Sequence, residues 1–172
     1  MRILRPFFYI AVLGLVIFAI YHFFILPFLF PNARLIHMID PDSLLVKENG
    51  KLKIVQLIGA DAPEITGPLK GRQCDDYTAL SGAAAYFKTS REISLAIDGK
   101  SGEKDIYGRE LRYVYLPDGT LYNEKLLSDG FARESNPENA DYKLKNDFIK
   151  AQEEAKANGL GIWDPKGCNG GF

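Results

Sequence analysis

The chain has 172 residues, of which 47% are hydrophobic and 25% charged, enough for one domain with an appendage. Arg2 and Arg5 account for two of its 21 basic residues, so the remainder of the chain is acidic by about three charges. That balance argues against storing or packaging nucleic acid on a basic surface and leaves a catalyst with a local positive site.

The first element is apolar. From Pro6 to Leu29 the run carries no charge apart from the titratable His22, a length that suits a helix crossing a membrane core of about 30 Å. Arg2 and Arg5 precede it, which predicts a cytoplasmic N-terminus and an extracytoplasmic remainder. A cleaved signal peptide is the alternative. The run is longer than the usual apolar core of about 7–15 residues, and Pro31-Asn32-Ala33-Arg34 is a poor cleavage site. The expected organisation is therefore a signal anchor over 1–33 and a domain over 34–172.

Next come Arg34–Ile39 as a first strand, a turn at Asp40-Pro41-Asp42-Ser43, and Leu44–Lys47 as a second strand. Asn49-Gly50 then predicts a tight hairpin, because both residues tolerate positive φ. Leu52–Ile58 returns as a third strand, and Gly59 can relieve the pleat. Asp75–Ser90 reads as a helix, Glu92–Ile97 and Leu111–Leu116 as two further strands, and Asn123–Asp129 as a short helix stopped by Gly130. Glu138–Asn158 reads as the best-formed helix, buried along Leu144, Phe148, Ala151 and Ala155 and capped by Gly159. Five short strands with turns between them predict a small barrel with three helices, an α+β chain that is mainly β.

Cys74 and Cys168 fall in the outward-facing part, where one disulfide is expected; free thiols or a metal site are the alternatives. Closing so long a loop would stabilise by about 4 kcal/mol.

Chemistry-bearing residues gather at three places: Asp42, the run Asp61-Ala62-Pro63-Glu64, and Tyr107-Gly108-Arg109. Hard cations take carboxylate and carbonyl oxygens. A cation, a further carboxylate to orient or deprotonate water, and an arginine to grip phosphate suffice for phosphodiester hydrolysis. Acid-rich loops are more often solvated turns, so the residues alone make a weak signal.

Their order is more specific. IDPDSLLV, QLIGADAPE, DIYGRELRYVYLPDGTLYNE and GLGIW, in that succession from about Arg34 to Trp163, resemble the staphylococcal nuclease (thermonuclease) family. The resemblance implies a five-stranded OB-type barrel with three helices and Ca²⁺-dependent cleavage of DNA and RNA, single-stranded for preference, by a monomer. It implies that Asp42 and Asp61 are carboxylate ligands of Ca²⁺, that Ala62 gives its backbone carbonyl, and that Asp40 supports them as a neighbouring acid. Glu64 matches the glutamate acting on water, Arg109 a phosphate-binding arginine, and Tyr107 a tyrosine of the nucleotide pocket. Bland alternatives stand beside these: turn formation for Asp40 and Asp42, a surface ion pair for Arg109, and packing on the barrel for Tyr107.

Three positions depart from the pattern. Gln56 stands where the family carries its other arginine, Pro41 where a glycine separates the two acids, and Ile106 where a lysine is common. Glutamine brings neither charge nor a rigid fork, and losing one such donor typically costs about 10²–10³ in rate. Lys53, Lys70, Arg72 and Arg112 are the candidates to compensate, and Lys53 belongs to the other strand face. The expected protein is an anchored extracytoplasmic nuclease of reduced activity. The alternatives are a nuclease-like domain that binds without cleaving, or an OB-type module for protein or glycan contacts.

Overall fold

The structure, a computed structural model, describes residues 12–18, 32–64, 74, 76–135 and 141–171. Among the described residues there are seven strands and four α-helices. The helices are residues 12–18 (α1), Asp76–Ala85 (α2), Tyr122–Ser128 (α3) and Lys145–Ala157 (α4). The strands are β1 (Ala33–Asp40), β2 (Ser43–Glu48), β3 (Lys51–Leu57), β4 (Ala60–Asp61), β5 (Glu92–Ala96), β6 (Glu110–Tyr115) and β7 (Arg133–Glu134).

Five strands close into a barrel in the order β1-β2-β3-β6-β5, with β5 returning to β1. All pairs are antiparallel except β3 with β6, so the barrel is mixed. These five are the strands expected from the sequence. Asn49 and Gly50 turn β2 into β3 at φ 50° and 79°, the two positive values a two-residue hairpin requires. Leu44, Val46, Val55, Ile93 and Val114 alternate inward and are fully buried, together with Tyr122, Leu126, Leu127 and Phe148 from the helices. Each such side chain contributes about 1.5–3 kcal/mol by leaving water.

The helices differ from expectation at their ends. α2 stops at Ala85 rather than Ser90. Just past that end the Tyr86 hydroxyl bonds the Asp129 carboxylate, and Phe87 packs edge-on against Tyr122 at 5.0 Å. α4 begins at Lys145 rather than Glu138. The chain before it is held open: Lys143 donates its backbone N–H to Asp98, and the Tyr142 hydroxyl bonds Glu134. Residues 136–140 lie outside the described residues.

Cys74 and Cys168 form the expected disulfide, spanning 94 residues with Cα atoms 5.6 Å apart. The apolar run expected to cross a membrane falls outside the described residues, apart from helical 12–18. Among the described residues no helix is long and apolar enough to cross a membrane.

Two short strands were not foreseen. β4 and β7 pair as a separate ribbon, Asp61 opposite Arg133 and Ala60 opposite Glu134. A two-residue strand leaves no periodicity to read, and its partner lies far along the chain.

Candidate active site

The β1–β2 turn and the end of β3 converge. Asp40 pairs with Ser43 across the turn, Ser43 pairs with Gln56, and the Leu57 N–H donates to the Asp42 carbonyl at 2.9 Å. Tyr122, at the start of α3, donates its hydroxyl to the Pro41 carbonyl at 2.7 Å and fixes the turn from behind. Pro41 is therefore built into the turn through its carbonyl, where the sequence marked only a departure from glycine.

Gly59 lets the chain swing from β3 into β4. Its φ is +72°, and a Cβ there would meet Phe148 and Tyr142 at 2.7 Å. Asn123 clamps the same bend. Its side-chain amide donates to the carbonyls of Ile58 and Arg112 at 3.0 and 3.2 Å, while its Oδ1 accepts the Val114 N–H at 2.9 Å. Asn123 is fully buried and satisfied on both ends, a positioning residue the sequence reading passed over because one asparagine near a helix start carries no pattern.

The acids come together around this bend. Asp42 is buried, and its Oδ2 accepts the Ala62 N–H at 3.1 Å. Burial pushes the Asp42 carboxyl up to about 7. The Ala62 bond and a bond from the Gln56 side chain oppose that rise, and the charges of Asp61 and Asp40 add to it. Asp40, Asp42 and Asp61 thus lie within electrostatic reach of one another.

A cleft of about 360 Å³ opens at Asp61, lined also by Gln56, Gly59, Asp105, Arg109 and Arg133 among others; Asp40 and Asp42 do not line it. Gln56 Oε1 is buried without a hydrogen-bond partner. Arg109 donates Nε to Asp105 at 2.6 Å, so the ion-pair alternative describes it, and it also lines the cleft. Asp105 accepts the N–H groups of Tyr107 and Arg109 at 2.9 Å each, which shapes the turn. That role was legible in principle, since an Asp opening a Tyr-Gly turn is an ordinary side-chain-to-backbone cap. Tyr107 does not pack on the barrel: it is 78% exposed, and the Arg109 guanidinium lies 5.4 Å from its ring. Ile106 beside it is 79% exposed.

Glu64 is exposed at the end of its described segment and is not among the residues lining the cleft. Two of the four proposed compensating cations are engaged elsewhere. Lys53 bridges Glu48 and Glu110, and Arg112 is buried against Glu110 and the carbonyls of Glu103 and Leu111. Lys70 and Arg72 lie outside the described residues. A cation the sequence reading did not consider, Arg133, donates Nε and Nη2 to Asp61 Oδ2 at 3.0 and 2.8 Å.

The donor set fits a hard divalent cation. Asp42 and Asp61 offer carboxylates, and a cation would offset the mutual repulsion and burial that push Asp42 up. Among the described residues no group of three His, Cys, Asp or Glu could hold a metal ion. A set of two carboxylates and the Ala62 carbonyl contains only two such side chains.

A family model described as Staphylococcal nuclease homologue matches residues 54–165, beginning inside β3. Thermonuclease of Staphylococcus hyicus is 32% identical over 135 residues, covering 76% of this chain and 74% of the relative. Thermonuclease of Staphylococcus intermedius is 34% identical, covering 74% of this chain and 73% of the relative. Endonuclease YncB of Bacillus subtilis is 34% identical over 82% of this chain and 66% of its own length.

Proposed function

This chain belongs to the staphylococcal nuclease family, and from that premise we propose that it is a Ca²⁺-dependent nuclease acting on single-stranded DNA or RNA, slowed by Gln56. The observation that carries the reading is the convergence of Asp42, Asp61 and Ala62, with Asp61 lining the same cleft as Arg109. Asp42, Asp61 and the Ala62 carbonyl would hold the ion, with Asp40 behind them. When bound it would draw charge from a phosphoryl oxygen.

The chain's own groups do the rest. Arg109 holds the scissile phosphate through its terminal nitrogens, and Tyr107 beneath it offers an exposed ring. Glu64 takes a proton from water, whose oxygen bonds to phosphorus. The bond from phosphorus to the 5′-oxygen breaks, and that oxygen takes up a proton. One water is consumed, giving a 3′-phosphate and a 5′-hydroxyl.

The apolar run over 6–29, with Arg2 and Arg5 before it, supports a membrane anchor with the domain facing outward, and the Cys74–Cys168 disulfide suits an oxidising compartment. Gln56 favours a second reading, a domain that binds nucleic acid without cleaving it. The purified full-length chain decides between them. The nuclease reading expects degradation of heat-denatured DNA with Ca²⁺, arrest by chelator, and loss of cleavage in Glu64→Ala and Arg109→Ala. Binding that survives both substitutions, with no cleavage in the parent chain, would establish the second.

A further inference from the structure

We propose that Arg133 is the second phosphate-holding cation of this cleft, bringing from β7 the charge that Gln56 lacks. The inference rests on the nuclease reading and adds a residue to it. Three observations carry it.

First, Gln56 brings the phosphate no charge, and its side chain is already bonded to Asp42. Its buried Oε1 is an acceptor without a partner, and phosphate oxygens are themselves acceptors. Second, the β4–β7 pairing sets Arg133 directly opposite Asp61, and Arg133 lines the same cleft as Gln56 and Arg109. Lys53 and Arg112, the other described cations considered near β3, are bound elsewhere. Third, β7 is held firmly. The Glu134 N–H donates to Gln152 Oε1 on α4 at 2.7 Å, and Tyr142 bonds the Glu134 side chain at 2.7 Å. A guanidinium on so fixed a strand is pre-aimed.

The pairing with Asp61 is compatible with this role. Both bonds fall on Oδ2, so Oδ1 is the oxygen that can turn to a cation. A guanidinium carries five N–H donors in a planar fork, so one side chain can serve more than one acceptor. With Arg109 on one side and Arg133 on the other, the phosphate is gripped by two planar forks, and no bond is made or broken by either.

The test uses the full-length chain with Arg133→Ala, Gln56→Arg and the double variant, on single-stranded oligothymidylate. Arg133→Ala should lower kcat/KM by about 10²-fold, with the loss persisting at saturating Ca²⁺. Gln56→Arg in the Arg133→Ala background should recover at least about tenfold. Binding of the oligothymidylate, read separately by fluorescence anisotropy, should weaken by about tenfold in Arg133→Ala and recover in the double variant. The Ca²⁺-induced rise in Tm should survive in Arg133→Ala. If that variant fails to fold, Arg133→Gln, which keeps an amide donor without the charge, is read in the same way. Unchanged activity and binding in Arg133→Ala overturns the inference. So does a loss cancelled by added Ca²⁺, which would make Arg133 a prop for Asp61, or a loss Gln56→Arg cannot repair. A parent chain that binds oligothymidylate but never cleaves it overturns the nuclease reading instead, and the binding comparison then decides Arg133 by itself.

Discussion

Asp42 is a carboxylate placed where water scarcely reaches, 7% exposed, with two other acids close enough to oppose its ionisation. Such a group costs the folded domain stability unless a cation answers it. Asp42→Asn should therefore raise Tm in chelator, abolish the further rise that Ca²⁺ gives the parent chain, and lower cleavage by about 10²-fold or more; thermal melts with and without Ca²⁺ check the first two. A lower Tm in chelator would show that the Asp42 carboxylate serves the fold rather than an ion. At this scale the sequence was informative about identities and poor about neighbours. Asp42, Asp61 and Arg109 could be picked out because they sit in short contiguous motifs. Arg133 could not, since its relation to Asp61 exists only once β4 and β7 are side by side. Asn123 was invisible for the same reason.

Among the elements, the bend from β3 into β4 decides where the acids end up, and Asn123 is its clamp. Asn123→Ala would strand the Val114 N–H and the Ile58 carbonyl in a dry interior, while the Arg112 carbonyl keeps the Ile58 N–H. The expected loss is about 3 kcal/mol, with cleavage falling in parallel, as denaturant unfolding and the DNA assay would show. A second junction holds β5, β6 and the approach to α4. Burial would push the Asp98 carboxyl up, yet bonds from the Tyr113 hydroxyl and the N–H groups of Lys143, Lys100 and Ser101 hold it below the usual carboxylate range. Its folded pKa lies under its unfolded one, so its contribution is present above about pH 4 and fades as pH falls further. Tm measured from pH 6 down to pH 2 should fall less steeply in Asp98→Asn than in the parent chain. An identical slope would remove Asp98 from the acid response. Strand and hairpin positions were readable because alternation and Asn-Gly turns are local. The helix ends were not: Tyr86 and Phe87 leave helical geometry to meet Asp129 and Tyr122, contacts no periodicity encodes.

For the whole molecule, the closed barrel makes the active-site wall from distant stretches, and the disulfide ties the segment ahead of α2 to the C-terminal end. Reduction, or Cys168→Ser, should lower stability by roughly 3–4 kcal/mol without abolishing Ca²⁺-dependent cleavage of denatured DNA at low temperature. Loss of cleavage in a still-folded reduced chain would place the bridge in the site itself. The barrel was legible as a whole because five strands with short turns have few ways to bury one face each. Its one parallel contact, β3 with β6, was not, since parallel pairing depends on chain paths rather than on residues. That contact sets β6 beside Gln56 and so makes the cleft wall.

The central claim is that Asp42 and Asp61 hold a divalent ion beside a phosphate gripped in this cleft. Its most direct test is the cleavage rate of denatured DNA as Ca²⁺ is titrated into the full-length chain, with Gln56→Arg measured alongside. The account predicts saturable Ca²⁺-dependent cleavage in the parent chain and a rate about tenfold higher in Gln56→Arg. Cleavage that survives chelator, or its absence in both chains at saturating Ca²⁺, would contradict it.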